Sequence, residues 1–480
     1  MDLKIFKTDS LEAQTSIAVI AKKDSAFDAS FLSEHEYTYV KQRIDKGESF
    51  IVINQYNRLI FIIVLDVSKP NYIVLEESRK AGYKVQAAIS EQSYNKVIAY
   101  HVENNSEVLL AFAEGAAMGS YKFTKYFRNG DEKKSSLKEI GLICQPLETA
   151  KIDRLLNVLK ALFNVRTLVN EPVSFLNAEQ LAIELETMAT GAGCKVEIFN
   201  KGKIEALKMG GLLAVNKGSV DPPTFTVMEW KPEKPINSKP YVLVGKGVVY
   251  DTGGLSLKPT GDSMDYMKCD MSGAAIVGGV ISAIAANKLP VHVVALTPAT
   301  DNRPSGNAYA PGDVITIMDG TNVEMLNADA EGRMILADAL VYAKNYDPEL
   351  VIDVATLTGS ASIAIGPYAL VAMGTASSEI KNNLIKSGEQ VFERIVEFPL
   401  WDDYAELIKS DIAEIKNVGG KSAGAITAGK FLEHFTSYPW MHFDIAGVAF
   451  SKKNDNYRGK GGTGFSMRLL YNFFEKLAGV

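Results

Sequence analysis

The segment Asn327-Ala328-Asp329-Ala330-Glu331-Gly332-Arg333 sets two carboxylates two residues apart, then a glycine and an arginine, ahead of an apolar-periodic run from Met334 to Tyr346. Residues two positions apart diverge on a helix but share a side in extended chain. Asp329 and Glu331 are therefore expected to project together from a strand end or loop. Carboxylates held that close repel unless a proton or a cation lies between them, and a metal ion is the simplest answer. Gly332 and Arg333 would open the following helix, where free N–H groups and a guanidinium attract an anion.

Two further segments have the same character. Tyr241 to Val244 reads as a buried strand running into Gly245-Lys246-Gly247-Val248-Val249-Tyr250-Asp251-Thr252-Gly253-Gly254-Leu255-Ser256-Leu257-Lys258-Pro259. Its glycines let the backbone turn tightly and approach a ligand. Met267-Lys268-Cys269-Asp270-Met271-Ser272-Gly273 places another acid before a small-residue helix expected over 273–287. A single acid or lysine is usually just solvated. Several at strand-to-helix transitions carry more meaning, because ligand sites of α/β sheets gather at the carboxyl ends of strands.

In this order the three segments resemble the leucyl aminopeptidase family (cytosol aminopeptidases), two-metal exopeptidases. The family's Asn-Thr-Asp-Ala-Glu-Gly-Arg signature appears here with Ala328 for threonine, and the Gly-Lys-Gly, Asp-Thr-Gly-Gly and Lys-Pro pieces also match. The resemblance spans residues 165 to 480 and is only broad before that. It implies five ligands, Lys246, Asp251, Asp270, Asp329 and Glu331, for two divalent ions per subunit. Four carboxylates without histidine suit Mn²⁺, Mg²⁺ or Zn²⁺. Lys246 could ligate only as a free amine, its pKa driven down by the cations; a plain salt bridge to one of the acids is the alternative. The resemblance makes Lys258 and Arg333 catalytic: a protonated Lys258 would stabilise the oxyanion, and Arg333, Gly332, Lys258 and the Leu357 backbone would hold a bicarbonate that relays protons. Asn327, Met267, Thr356 and Gly359 become substrate contacts, although Asn327 also suits a simple turn.

The implied activity is release of N-terminal residues, leucine-like ones preferred, from peptides with a free N-terminus, by attack of water shared between two ions. The implied assembly is a homohexamer. Two departures from the family pattern bear on specificity. Ala328 removes a hydroxyl beside the ligands, and the stretch from Lys258 to Asp265 is one residue longer than typical. Two other readings compete: a DNA-binding architectural protein of the same family, and another two-metal hydrolase such as a phosphoesterase.

The elements that must position these residues follow from the pattern of the whole chain. Its 480 residues allow more than one domain, and 47% hydrophobic and 22% charged residues are ordinary for a globular protein. A net charge of −6 argues against nucleic-acid binding through overall charge. Three scattered cysteines build no disulfide framework and fit a reducing cytoplasm. The apolar run Leu59 to Leu65 is too short to span a bilayer, so no membrane association is expected; it pairs as a hairpin with Ser49 to Ile53.

The expected fold class is α/β. A smaller N-terminal α/β domain covers 1–150, with strands Ser16 to Ala21 and Val97 to His101 and a helix from Val108 to Phe127. A connecting helix covers 151–166. A larger catalytic domain covers 167–480, its strands and helices alternating to give a mostly parallel sheet covered by helices on both faces. Gly459 to Gly464 satisfies Gly-x-Gly-x-x-Gly but has no following strand-helix-strand unit, so a flexible loop is the better reading. His442 reads as a hydrogen-bonded core histidine, Cys269 as a small core residue. Ser256 lacks the elbow of a serine hydrolase.

Overall fold

The computed structural model describes residues 3–479. One compact unit holds the chain through Phe163 with Gln390–Phe392 and Lys453–Lys460. The other holds Asn164–Glu389, Glu393–Lys452 and the chain from Gly461 onward. The helix Thr149–Asn170 runs unbroken through the segment expected to connect two domains.

The first unit is built on a six-stranded sheet ordered Lys4–Lys7, Glu139–Ile143, Lys96–His101, Ser16–Lys22, Leu59–Leu65 and Phe50–Asn54. Its pairs are parallel except the last, the expected hairpin, where Phe50 lies opposite Ile63. The helix expected to reach Phe127 stops at Ser120, where Tyr121 turns to an extended backbone. Helices at Glu34–Asp45 and Asn71–Glu91 were not anticipated. The first is opened by a capping box between Ser33 and Glu36.

The second unit carries a nine-stranded sheet. Its path runs Ile395–Glu397, Leu370–Gly374, Trp440–Asp444, Leu350–Ala355, Tyr241–Gly245, Val293–Asn302, Thr224–Trp230 and Lys195–Phe199, with Gly247–Asp251 also paired to Val293–Asn302. The centre is parallel, as the alternation of strands and helices predicts. The flanks add antiparallel pairs, Thr224–Trp230 against Val293–Asn302 and Leu370–Gly374 against Trp440–Asp444. Helices Ala178–Ala192, Ser272–Ala286 and Met467–Leu477 pack together as one layer; Gly210–Asn216, Glu331–Ala343 and Gly424–Glu433 form the other. Both faces of the central strands are thereby covered, and those strands are buried along their length and mostly apolar.

Met264–Ala286 is apolar and long enough by composition to cross a bilayer, yet 94% of its most apolar 18 residues are buried within the fold and serve as core. Such close packing needs glycine. A methyl on Gly273 would lie 2.0 Å from the Val354 carbonyl oxygen, so this helix meets the sheet backbone to backbone.

Candidate active site

Lys246 interrupts one line of strand. The register that pairs Val244 with Leu296 continues to Gly247 with Ala299, which puts Lys246 opposite Pro298. A proline offers no N–H to the ladder. Lys246 instead donates its N–H to Val354 O and accepts from Ala274 N, and its side chain runs out at the carboxyl edge of the sheet. Asp251 ends the next strand. After it, Gly253 and Gly254 at positive φ fold the chain back, and Lys258 N bonds to Thr252 O. Lys258 therefore returns over Asp251.

Asp329 and Glu331 are not carried by one extended segment, contrary to the sequence expectation. Ala330, at φ −115° and ψ 41°, turns the chain between them, and Glu331 is the first residue of the helix Glu331–Ala343. The two acids still converge, because the turn replaces the alternation of a strand. Oxygens of Asp251, Asp329 and Glu331 lie within 4.8 Å of one another. Asp270 follows the short helix Met264–Cys269 and comes in from the other side.

The two lysines sort these acids. Lys246 Nζ lies 2.8 Å from Asp270 Oδ2 and 2.8 Å from Glu331 Oε1, and donates to Thr356 O at 2.9 Å. Lys258 Nζ lies 2.9 Å from Asp251 Oδ2 and also meets Asp329 Oδ1. Gly332 is required here, since a methyl on it would come within 2.8 Å of Lys246 Nζ.

Burial raises the Asp251, Asp270 and Asp329 carboxyls above the usual range. Asp329 is pushed up to about 7, with the charges of Asp251 and Glu331 adding to the effect. Burial opposes the charge on Glu331 as well, but the two lysines outweigh it and hold this acid low. Burial disfavours both ammonium groups too, yet the surrounding acids keep Lys246 and Lys258 above the ordinary lysine range. The site is a buried cluster whose acids need positive charge.

Those acids fit a divalent metal. All offer hard oxygen donors, and Glu331 Oε2 is buried with no hydrogen-bond partner. An orphaned carboxylate oxygen beside two other acids is a vacant donor, costly unless a cation meets it.

Around this core the other expected residues fall in different places. Thr356 donates its hydroxyl to Asp270 Oδ1 at 2.6 Å. The Leu357 N–H is committed to Asp444 Oδ1 at 3.2 Å. Arg333 is buried, which pulls its guanidinium down to about 10, still protonated at neutral pH; Nη1 donates to Asn417 O at 2.7 Å. Asn327 Oδ1 accepts from Asp329 N at 2.8 Å, so this side chain forms the turn before the acids. Met267 is half-buried on the short helix before Asp270, and Gly359 is exposed, with open space where a side chain would stand.

Sequence reasoning missed three polar residues that hold the site. Asn417 accepts from Leu326 N and Asn327 N, donates to Asn327 O, and offers its own carbonyl to Arg333. Asp444 binds Leu357 N, the Thr358 hydroxyl and Ala446 N, which fixes the loop after Leu350–Ala355. Asn302 bonds to Asp251 and to Ala328 O. The usable signal was a polar residue ending an apolar strand, as Asn302 and Asp444 do.

This geometry gathers acids and lysines at the carboxyl edge of a covered α/β sheet, where they could hold a divalent metal ion. A sequence model of the cytosol aminopeptidase family, catalytic domain, matches residues 163–471. The chain is 43% identical over 385 residues to a probable cytosol aminopeptidase of Chlorobium limicola, covering 77% of this chain and 76% of the relative. It is 46% identical over 387 residues to the same kind of protein from Chlorobaculum parvum, covering 77% and 76%. Among solved structures, the bottromycin maturation enzyme BotP in complex with Mn superposes with a TM-score of 0.85 at 27% identity, covering 97% of this chain and 100% of BotP. A tomato leucine aminopeptidase variant superposes with a TM-score of 0.87 at 26% identity, covering 99% and 96%. The chain belongs to the cytosol aminopeptidase family and is a peptidase, a hydrolase of peptide bonds.

Proposed function

We propose that this peptidase is a two-metal aminopeptidase that releases N-terminal residues, leucine-like ones preferred, from peptides with a free amine. The observation that carries the reading is the convergence of Asp251, Asp329 and Glu331 within 4.8 Å, with a buried, unpartnered Glu331 oxygen at the centre. Asp251, Asp270, Asp329, Glu331 and Lys246 would hold two divalent ions, Mn²⁺ or Zn²⁺ or Mg²⁺. When bound, such ions polarise a carbonyl and make water acidic enough to attack near neutral pH.

The chain's own residues do the rest. Lys246 would hold an ion only as a free amine, having lost the proton with which its ammonium now pairs Asp270 and Glu331. Lys258 keeps its proton and stabilises the negative charge that develops on the scissile carbonyl oxygen. Arg333, buried at the start of the helix Glu331–Ala343, binds an anion there with Gly332 and Lys258, and the Leu357 N–H joins them by leaving Asp444. Bicarbonate is the anion proposed to pass protons there. Met267, Thr356, Asn327 and Gly359 are the proposed substrate contacts. The open space beside Gly359 leaves room for a side chain. Cytoplasmic location and a homohexamer complete the reading.

A panel of aminoacyl amides, their N-acetylated counterparts and a phosphoester reporter tests it. Leucyl amide is expected to be cleaved fastest and its acetylated form left intact. Equal cleavage of the acetylated form would refute an aminopeptidase. Cleavage of the phosphoester alone would favour a different two-metal hydrolase.

A further inference from the structure

Asn302 ends the long central strand Val293–Asn302 and is fully buried. It lies in register with Asp251 across the parallel pairing of the two strands. Its side-chain amide donates to Asp251 Oδ1 at 2.8 Å and to Ala328 O at 2.9 Å. Both partners are acceptors. The reverse orientation of the amide would set oxygen against oxygen twice, so chemistry fixes which end points where. The backbone repeats the grip: Asn302 O accepts from Thr252 N and from the Thr252 hydroxyl.

What Asn302 holds matters more than how. Asp251 Oδ1 also accepts from Gly253 N at 2.8 Å, so this oxygen has two donors and is used up. Only Oδ2, which faces Lys258, remains for a cation. Ala328 is the residue before Asp329, and its peptide is held at both ends. Its oxygen takes Asn302 and the Tyr309 hydroxyl, and its N–H donates to Ser256 Oγ. One buried amide thus bridges the strand that ends in Asp251 and the turn that presents Asp329 and Glu331. Gly254 makes room for it, since a methyl there would lie 2.7 Å from Asn302 Oδ1.

We propose that Asn302 is a positioning residue of the metal centre, fixing Asp251 as a one-oxygen ligand and setting its separation from Asp329 and Glu331. The proposal rests on the two-metal reading above. Partners of ligands that act in this way typically change metal affinity or activity by about 10–100-fold when removed. Asn302 would act through Asp251 and the turn that presents Asp329 and Glu331, so its loss would be read in metal affinity.

The test titrates the metal-depleted full-length chain with Mn²⁺ by calorimetry, for the parent, Asn302→Ala, Asn302→Asp and Tyr309→Phe. Asn302→Asp keeps the shape of the side chain and removes both donations, so it serves if Asn302→Ala does not fold. Tyr309→Phe frees Ala328 O of its other donor without touching Asp251. Expected are two ions in the parent and in Tyr309→Phe at equal strength, with binding weakened about 10–100-fold for at least one of them in the Asn302 variants. Asn302 variants that bind both ions as the parent does, or that do not fold at all, would overturn the inference. A parent that takes up fewer than two ions would instead refute the two-metal reading.

Discussion

Lys246 and Lys258 bring the same charge to the same acids, and their surroundings separate their roles. Lys246 is 3% exposed and closed in by Gly332, whereas the Lys258 side chain is 14% exposed and pairs with Asp329, the most open acid of the cluster. A residue on the open side can meet a substrate; one on the closed side can only meet what the cluster holds. Lys258→Ala is therefore expected to keep both metals and lose turnover by about 10²–10³, the usual effect of removing one oxyanion donor. Arg333→Ala should lose less turnover and respond more weakly to added bicarbonate. Metal content and turnover across a bicarbonate titration check both variants, and loss of metal in Lys258→Ala would contradict this role. At this scale the charged residues were legible because carboxylates, lysines and glycines at fixed spacing are rare together. The amides were not. Asn302 and Asn417 carry no charge, and their partners lie 51 and up to 91 residues away in the chain.

Strands and helices of the second unit followed the sequence closely, since buried parallel strands are unbroken apolar runs between helical patterns. The antiparallel flanks escaped notice because Thr224–Trp230 and Lys195–Phe199 carry a pattern that does not reveal strand direction. Likewise, nothing local shows that Glu331 begins a helix while Asp329 does not. One pair of strands also carries a buried polar row. His442 is fully buried, as expected of a core histidine; its Nδ1 lies 2.6 Å from Asp353 Oδ1, in register across Leu350–Ala355 and Trp440–Asp444. Trp440 Nε1 donates to Asp353 Oδ2 at 2.7 Å. Asp353→Ala would strand two buried donors and is expected to cost about 3–5 kcal/mol, the range for breaking a buried pair from one side. Chemical denaturation reads this directly; a loss under about 1 kcal/mol, typical of an exposed pair, would show the row to be dispensable.

The whole molecule adds surface to site. Ile363, Tyr368 and Trp401 in the second unit leave 89%, 70% and 63% of their area exposed. A hexameric mass in light scattering is the expected result, and a monomer at concentrations where the enzyme is active would contradict it. Assembly was open to the sequence only by resemblance, because the pattern that folds one chain does not record what its surface touches.

The central claim concerns the charge inside each chain. Glu331 is the best-buried acid of the cluster and keeps one oxygen unpartnered, so its loss should be felt by both ions. The most direct measurement is metal bound per chain, read beside leucyl amide turnover, as Mn²⁺ is added to the metal-depleted parent and to Glu331→Ala. The parent should gain activity in step with uptake of two ions, while the folded variant holds fewer than two and stays inactive. Two tightly held ions in Glu331→Ala, or full activity in the metal-depleted parent, would contradict the account.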